Sequence, residues 1–427
     1  MNDDNMAADV RIGLIGLGYV GLHIALLFSK RYAVRGFDPN TDRVKALNSG
    51  CDSTCEVSSE RLLEAIADGL VCTDNADDIR GCNFYVVAVP TPVDANNTPD
   101  LGPLLKASET VGRALAKGDY VVYESTVYPG VTEEECIPVL ERESGLRLNV
   151  DFFAGYSPER VNPGDKVHVP SKIVKVTSGS SPEAAARIDR LYDSVLEGGT
   201  WAAPSIRVAE ASKILENVQR DVNIALMNEA AKIFNAMGID TRDVLRAAST
   251  KWNFLPFEPG LVGGHCISVD PYYLIRKAEV YGVYPRIMSE ARRLNDGMGS
   301  YVAAQTIRCM NRKGITLAGA RILILGFTFK ENCPDIRNTK VIDIVTSLEE
   351  YGAGIVVCDP WADASLVKRS YGIDLPDYVP DGPFEAIILA VAHDCFRGLK
   401  LDRLRAPLSV VFDVKGFWEA EVADGRL

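Results

Sequence analysis

The stretch Ile12-Gly13-Leu14-Ile15-Gly16-Leu17-Gly18-Tyr19-Val20-Gly21 decides how the first part of this chain folds. A short β-rich run enters G-x-G-x-x-G directly, and an apolar helical segment, Leu22 to Lys30, leaves it. Glycines at this spacing allow a tight turn and bring the N–H groups of a helix N-terminus against a pyrophosphate. Gly16, Gly18, Tyr19, Val20 and Gly21 are therefore the expected dinucleotide contacts. The next β-rich run, Val34 to Phe37, ends in Asp38, 17 residues past Gly21. A carboxylate there accepts hydrogen bonds from ribose hydroxyls and repels a 2′-phosphate, so NAD is expected over NADP. Asp38 also opens a turn, Asp38-Pro39-Asn40, and Arg43 is close enough in sequence to serve a phosphate. Thr91 and Thr126 follow the runs ending Val89-Pro90 and Glu124-Ser125, at the strand ends where such sheets bind ligands.

The same rhythm continues outward. Phe84 to Val89, Val121 to Tyr123 and Phe152 to Ala154 alternate with helical stretches, predicting a doubly wound parallel sheet. Ser205 to Met237 holds neither Gly nor Pro, so these 33 residues predict one helix, about 50 Å long at 1.5 Å per residue. From Arg321 the β-rich rhythm resumes at Ile322 to Leu325, Ile355 to Val357, Ala386 to Ala390 and Val410 to Phe412. The expected fold class is α/β, with two Rossmann-like doubly wound domains joined by a long central helix and a helical middle domain. The expected boundaries are 1–200, 201–315 and 316–427. That agrees with 427 residues at roughly 150 per domain.

Composition narrows the function. Apolar residues at 47% and charged residues at 24% describe a folded globular chain. A net charge of −12 disfavours nucleic acid and anionic membranes as partners. Met1 to Val10 lacks a basic and then apolar leader, and no apolar run is long enough to cross a bilayer, so a cytoplasmic location is expected. Ten Cys are too dilute for a disulfide scaffold and are expected to be mostly reduced core residues. Four scattered His and the lone pair Cys51 and Cys55 lack zinc-site spacing, so no metal is expected.

One cysteine stands apart. In Gly260-Leu261-Val262-Gly263-Gly264-His265-Cys266-Ile267-Ser268-Val269-Asp270-Pro271, paired glycines let a ligand approach the backbone and the sulfur. Lys213 and Asn217 lie four apart on the predicted long helix and share a face, and Ser157-Pro158-Glu159-Arg160 follows a predicted strand. Each segment alone also reads as a buried thiol, a solvated lysine or an exposed acid.

Together these segments resemble the UDP-glucose/GDP-mannose dehydrogenase family over almost the whole chain. The shared motifs include Gly16 to Gly21, Ser125 to Gly130, Ser157 to Arg160, Lys213 with Asn217, and Gly263 to Asp270. Gly326-Phe327-Thr328-Phe329-Lys330 and Asp335-Ile336-Arg337 complete them. Gly263 to Leu274 and Ser157 to Gly164 look like the branch that oxidises UDP-N-acetylhexosamines, including Vi-polysaccharide-type enzymes; the UDP-glucose branch differs where this chain has Val262 and Val269.

The resemblance implies NAD-dependent four-electron oxidation of the sugar's 6-hydroxymethyl group to a uronate. Cys266 would be the nucleophile that forms a thiohemiacetal and thioester, and Lys213 and Asn217 would stabilise the developing oxyanion. Asp270 would position Lys213 or a water, Glu159 would activate water against the thioester, and Thr126 would hold that water. The terminal domain would hold the UDP portion through Lys330, and Arg337 would reach the cofactor. Arg160, Gly263 and Lys415 would contact substrate; some relatives carry Arg at the place of Lys415. UDP-N-acetylglucosamine and UDP-N-acetylgalactosamine are the expected substrates, with UDP-glucose and UDP-N-acetylmannosamine as alternatives. A two-electron hydroxyacid-type dehydrogenase and a catalytically silent nucleotide-binding protein are the rival readings. The product would feed capsule, O-antigen or exopolysaccharide synthesis. Apolar residues of the long helix, Ile214, Val218, Ile224, Leu226 and Ile233, suggest a surplus for subunit contact, hence a homodimer or higher oligomer.

Overall fold

The structure, a computed structural model, describes residues 9–54, 56–94, 96–160 and 169–427. Cys55, His168 and the 161–164 end of the Ser157 motif lie outside the described residues. The chain forms two compact units, one of residues up to Glu216 with Tyr272–Val283, the other of Asn217–Pro271 with Tyr284–Leu427.

The first unit is built on a six-stranded, all-parallel sheet. Its strands are β1 (Arg11–Ile15), β2 (Ala33–Phe37), β3 (Leu70–Thr73), β4 (Phe84–Val87), β5 (Tyr120–Tyr123) and β6 (Phe153–Tyr156). Their order, β3-β2-β1-β4-β5-β6, is that of a doubly wound dinucleotide-binding sheet, and the order reverses between β1 and β4. Strand side chains alternate between two cores, as the pleat requires. Ile12, Leu14, Val86 and Val122 meet Leu22, Phe28, Ile188 and Tyr192 on one face. Ile15, Tyr85, Val87, Val121 and Tyr123 meet Leu104, Val111, Leu140 and Ile206 on the other. A parallel sheet covered on both faces explains why these strands read as apolar runs. The short pair β7 (Lys175–Thr177) and β8 (Thr200–Ala202) completes this unit. Neither this pair nor β3 was read as strand from the sequence.

In the second unit, β9 (Arg321–Leu325), β10 (Gly354–Cys358), β11 (Phe384–Leu389), β12 (Arg405–Asp413) and β13 (Gly425–Arg426) form a parallel sheet in the order β10-β9-β11-β12-β13. This too is a doubly wound order. Its ends reuse the local design of the first sheet. Gly16 after β1 and Gly326 after β9 both take positive φ, +93° and +89°. Gly16 N donates to Phe37 O and Gly326 N to Cys358 O, both at 2.8 Å. Leu17 N donates to Asp38 at 2.9 Å, and Phe327 N to Asp359 at 2.6 Å. The two α/β sheets are thus alike in their first turns although their sequences are not.

The stretch without Gly or Pro forms one helix, Ile206–Met237, of 32 residues. Ile214 and Val218 are buried by the chain itself. Leu226 and Ile233 are 55% and 51% exposed, and Leu215 and Met237 join them at 58% and 63%. At 100° per residue these four lie on one stripe. No helix among the described residues is long and apolar enough to cross a membrane.

Candidate active site

The glycine turn closes β1 and starts the helix Tyr19–Ser29 three residues earlier than the apolar run suggests. A Cβ at Gly16 would sit 2.6 Å from Ala88 O, and one at Gly21 would sit 1.8 Å from Gly16 O. These two glycines are required by the protein's own close packing. Gly18 is not: a Cβ there meets nothing within 4 Å. Nor does any side chain cap this helix, and its first turn carries no acid. An uncapped N-terminus with a glycine that only an outside group would need fits a pyrophosphate.

Asp38 accepts Leu17 N–H and Asn40 N–H at 2.9 Å each, so it fixes the turn while standing at the β2 end. Arg43 is buried; its Nε donates to Leu17 O at 3.0 Å and its Nη1 to Asp52 at 2.6 Å, tying it to the same turn. Beyond the switch point, Ser125 Oγ accepts Val89 N–H at 3.0 Å and donates to Val89 O at 2.7 Å. This clasp joins the ends of β4 and β5, from which Thr91 and Thr126 emerge. By contrast, Asp359 in the second unit accepts Phe327 N–H, Thr328 N–H, Trp361 N–H and Ala362 N–H and faces His393 Nε2 at 3.0 Å. That carboxylate is consumed inside the protein, and its side chain is wholly buried.

Glu159 belongs to a buried charge cluster that sequence reasoning missed. Lys175 Nζ lies 2.5 Å from Glu124 Oε2, donates to Pro158 O at 3.0 Å and lies 3.5 Å from Glu159 Oε2. Tyr192 OH donates to Glu124 Oε1 at 2.6 Å. Burial pushes the Glu124 carboxyl up, opposed by the Lys175 charge. For Lys175, burial acts downward, yet the charges of Glu124 and Glu159 prevail and hold its ammonium above the ordinary value. Arg160 is fixed by Glu216 of the long helix, with Nε at 3.0 Å, and by Val174 O at 2.9 Å.

A second missed acid holds the Ser125–Gly130 motif. Glu210, fully buried on the long helix, accepts Gly130 N–H at 2.6 Å and Thr132 N–H at 3.0 Å. Burial pushes its carboxyl up to about 7 from 4.5, against those two hydrogen bonds. A carboxyl whose folded pKa exceeds its unfolded one stabilises the fold when protonated, and that contribution is lost as pH rises from 4.5 through about 7. Urea unfolding at about pH 5 and about pH 8 should therefore show wild type losing about 2–3 kcal/mol more than Glu210→Gln. Equal losses in both proteins would contradict this.

Lys213 and Asn217 are both buried and lie one turn apart on the long helix. In the second unit Asn217 Nδ2 donates to Asp270 Oδ2 in a short hydrogen bond, and Asp270 N donates to Cys266 O at 2.8 Å. Cys266 is half-buried, and its Sγ lies 3.1 Å from His265 Nδ1. Arg337 is clamped by Asp335, with Nε at 2.9 Å from Oδ1 and Nη2 at 2.5 Å from Oδ2. The Lys330 carbonyl accepts from Thr328 Oγ1 at 3.0 Å. Lys415 pairs with Glu331 at 3.1 Å. A small cavity of about 40 Å³ gathers Gly263, Phe329, Glu331, Lys340 and Lys415, so two predicted substrate contacts share one wall.

Three successive segments match parts of one family. Residues 10–196 match the UDP-glucose/GDP-mannose dehydrogenase family NAD binding domain, 207–297 its central domain and 323–420 its UDP binding domain. The chain is 54% identical to a UDP-N-acetyl-D-glucosamine 6-dehydrogenase of Pseudomonas aeruginosa, covering 98% of this chain and 100% of that one. It is 53% identical to a protein of the same name from Salmonella typhi, covering 98% and 99%. Among solved structures, the UDP-D-ManNAc dehydrogenase of Pyrococcus horikoshii superposes with a TM-score of 0.87 at 29% identity, covering 96% of each chain. With its uncapped glycine turn, its half-buried Cys266 and all three domains in order, the chain belongs to the UDP-glucose/GDP-mannose dehydrogenase family.

Proposed function

We propose that this chain oxidises the 6-hydroxymethyl group of a UDP-N-acetylhexosamine, UDP-N-acetylglucosamine first and UDP-N-acetylgalactosamine second, to the uronate. The observation that carries this reading is the full-length 54% identity to a UDP-N-acetyl-D-glucosamine 6-dehydrogenase. NAD, when bound, supplies the hydride acceptor for both oxidations. The Gly16–Gly21 turn with Tyr19 and Val20 would hold its pyrophosphate and Asp38 its ribose, with Arg43 bracing the turn and Thr91, Thr126 and Arg337 as further contacts.

Taking an alcohol to a carboxylate removes two hydrides. The intermediate aldehyde releases no hydride readily until a nucleophile makes its carbon tetrahedral, and that nucleophile is Cys266. The thioester that follows keeps the intermediate attached, so no aldehyde is released. Lys213 offers a cation to the oxyanion on the sixth carbon, and Asn217, held by Asp270, offers a neutral donor. Glu159 is the base that activates water on the thioester, Thr126 holds that water, and Arg160, Gly263, Lys330 and Lys415 contact the substrate. In this division of labour residues 1–200 serve the cofactor, 201–315 supply Lys213 and Cys266, and 316–427 hold UDP.

The test is a panel of UDP-N-acetylglucosamine, UDP-N-acetylgalactosamine, UDP-glucose and UDP-N-acetylmannosamine assayed for NAD reduction. Two NADH per sugar, with a uronate and no free aldehyde, are expected on the first two sugars; a ratio of one sinks the thioester route. A cytoplasmic place in the synthesis of a surface polysaccharide follows from the same reading.

The apolar stripe of Leu215, Leu226, Ile233 and Met237 supports a homodimer, because a stripe left uncovered by its own chain gains by pairing with a second copy. Light scattering should give at least a dimer for the wild type, and Leu226→Asp with Ile233→Asp should shift it toward monomer. A wild-type monomer under assay conditions contradicts the proposal.

A further inference from the structure

The residue beside the proposed nucleophile carries chemistry that the roles above do not use. His265 Nδ1 lies 3.1 Å from Cys266 Sγ, and the far edge of the ring, Nε2, lies 3.8 Å from Asp335 Oδ2. Asp335 is fixed in turn: its Oδ1 accepts Arg337 N–H and Nε–H at 2.9 Å each, and its side chain is only 6% exposed. The turns bearing His265 and Asp335 are also stapled through backbone. Gly264 N donates to Arg337 O at 3.1 Å, and Asn338 Nδ2 donates to Gly264 O at 2.9 Å.

The double glycine explains how the turns come so close. A Cβ at Gly263 would sit 2.8 Å from Asn338 O, and one at Gly264, where φ is +83°, would sit 2.9 Å from the Phe329 ring. A side chain at Gly263 would collide with the backbone that follows Asp335, and one at Gly264 would crowd the Phe329 ring from a backbone conformation that favours glycine. The glycines therefore serve the His–Asp geometry as well as ligand access.

We propose that His265, oriented by Asp335, is a catalytic base that takes the proton of the Cys266 thiol as sulfur attacks the aldehyde. The proposal rests on the reading of Cys266 as nucleophile. In the step, the S–H bond breaks and its proton passes to Nδ1, while the sulfur electron pair forms the C–S bond. The carbonyl π pair moves to oxygen, and that oxygen takes the proton back from the imidazolium. Thiol and aldehyde become a thiohemiacetal with no electrons gained or lost.

The physical need is plain. An ordinary thiol, with a pKa near 8.5, is only a few per cent ionised at neutral pH, and imidazole is the side chain whose basicity matches that gap. For Nδ1 to accept, the ring proton must sit on Nε2; the Asp335 carboxylate, 3.8 Å from Nε2 and so beyond hydrogen-bond reach, acts by its negative charge, which favours the imidazolium that follows. Burial pushes the Asp335 carboxyl up, but the Arg337 hydrogen bonds and charge, with His265, hold it below its ordinary value. Charged groups near the pair among the described residues include Asp335 and Arg337 on the facing turn, and Asp270, which is bound to Asn217 and to Cys266 O. Arg292 is also near; it reaches Ile267 O at 3.4 Å and is itself paired with Asp221 and Asp296.

The experiment follows iodoacetamide labelling of the Cys266 peptide in the full-length protein by mass spectrometry across pH, for wild type, His265→Gln and Asp335→Asn. At about pH 6.5, His265→Gln should label about ten-fold more slowly than wild type and should draw level above about pH 9, where the thiol ionises unaided. Asp335→Asn keeps the imidazole and should fall between the two, which separates a lost base from a disturbed fold. Four-electron turnover should decline in the same order. Identical labelling profiles for wild type and His265→Gln overturn the proposal, whatever the turnover. Full turnover by Cys266→Ala overturns the nucleophile reading instead, and the labelling profile distinguishes the two failures.

Discussion

Replacing Cys266 by Ser or Ala is expected to lower four-electron turnover by at least about 10³-fold, the scale on which removal of a covalent nucleophile is felt. Alanine removes the attacking atom. Serine keeps one, but its hydroxyl is far harder to ionise than a thiol, and its shorter bond to carbon leaves the oxygen short of the position the sulfur occupies. The measurement is NADH formed per UDP-sugar at saturating substrate. Undiminished turnover in either variant refutes the assignment of Cys266. Loss of turnover with a normal unfolding midpoint supports it, because a half-exposed thiol contributes little to the core.

Lys175→Met carries the second large effect, this time on stability. It removes the ammonium that lies 2.5 Å from Glu124 and 3.5 Å from Glu159, in a cluster where the Lys175 and Glu124 side chains are 7% and 0% exposed. Breaking a buried pair by deleting one partner strands the other, and the expected loss is about 3–5 kcal/mol. Adding Glu124→Gln should restore part of it, since the amide oxygen still accepts from Tyr192 OH and no longer carries a charge. Urea unfolding of the two variants measures both effects. A loss below about 1 kcal/mol for Lys175→Met, the range of surface pairs, contradicts the buried-pair reading.

Several features were legible because they are local. The glycine turn, the strand ends at Asp38, Thr91 and Thr126, and the helix without Gly or Pro each follow from neighbours along the chain. The observed helix differs from the predicted one by a single residue at its start. Cys266 was singled out by a different route, through its surroundings in sequence and the resemblance they carry, and its role as nucleophile is a proposal. The strands β3, β7 and β8 were not legible, since their pairing depends on partners elsewhere in the chain.

The same division runs through the site. Sequence by itself determined the order of the domains' signature turns, the residue types available for chemistry and the length of the central helix, because periodicity and turn chemistry act over a few residues. Only the tertiary structure decided which distant groups enclose them. Glu124 meets Lys175 across 51 positions, and Glu210 reaches Gly130 across 80. His265 faces Asp335 only because two glycines let separate turns touch. Burial and long-range charge set the ionisation of such groups, and both are properties of the folded surroundings that no stretch of sequence contains.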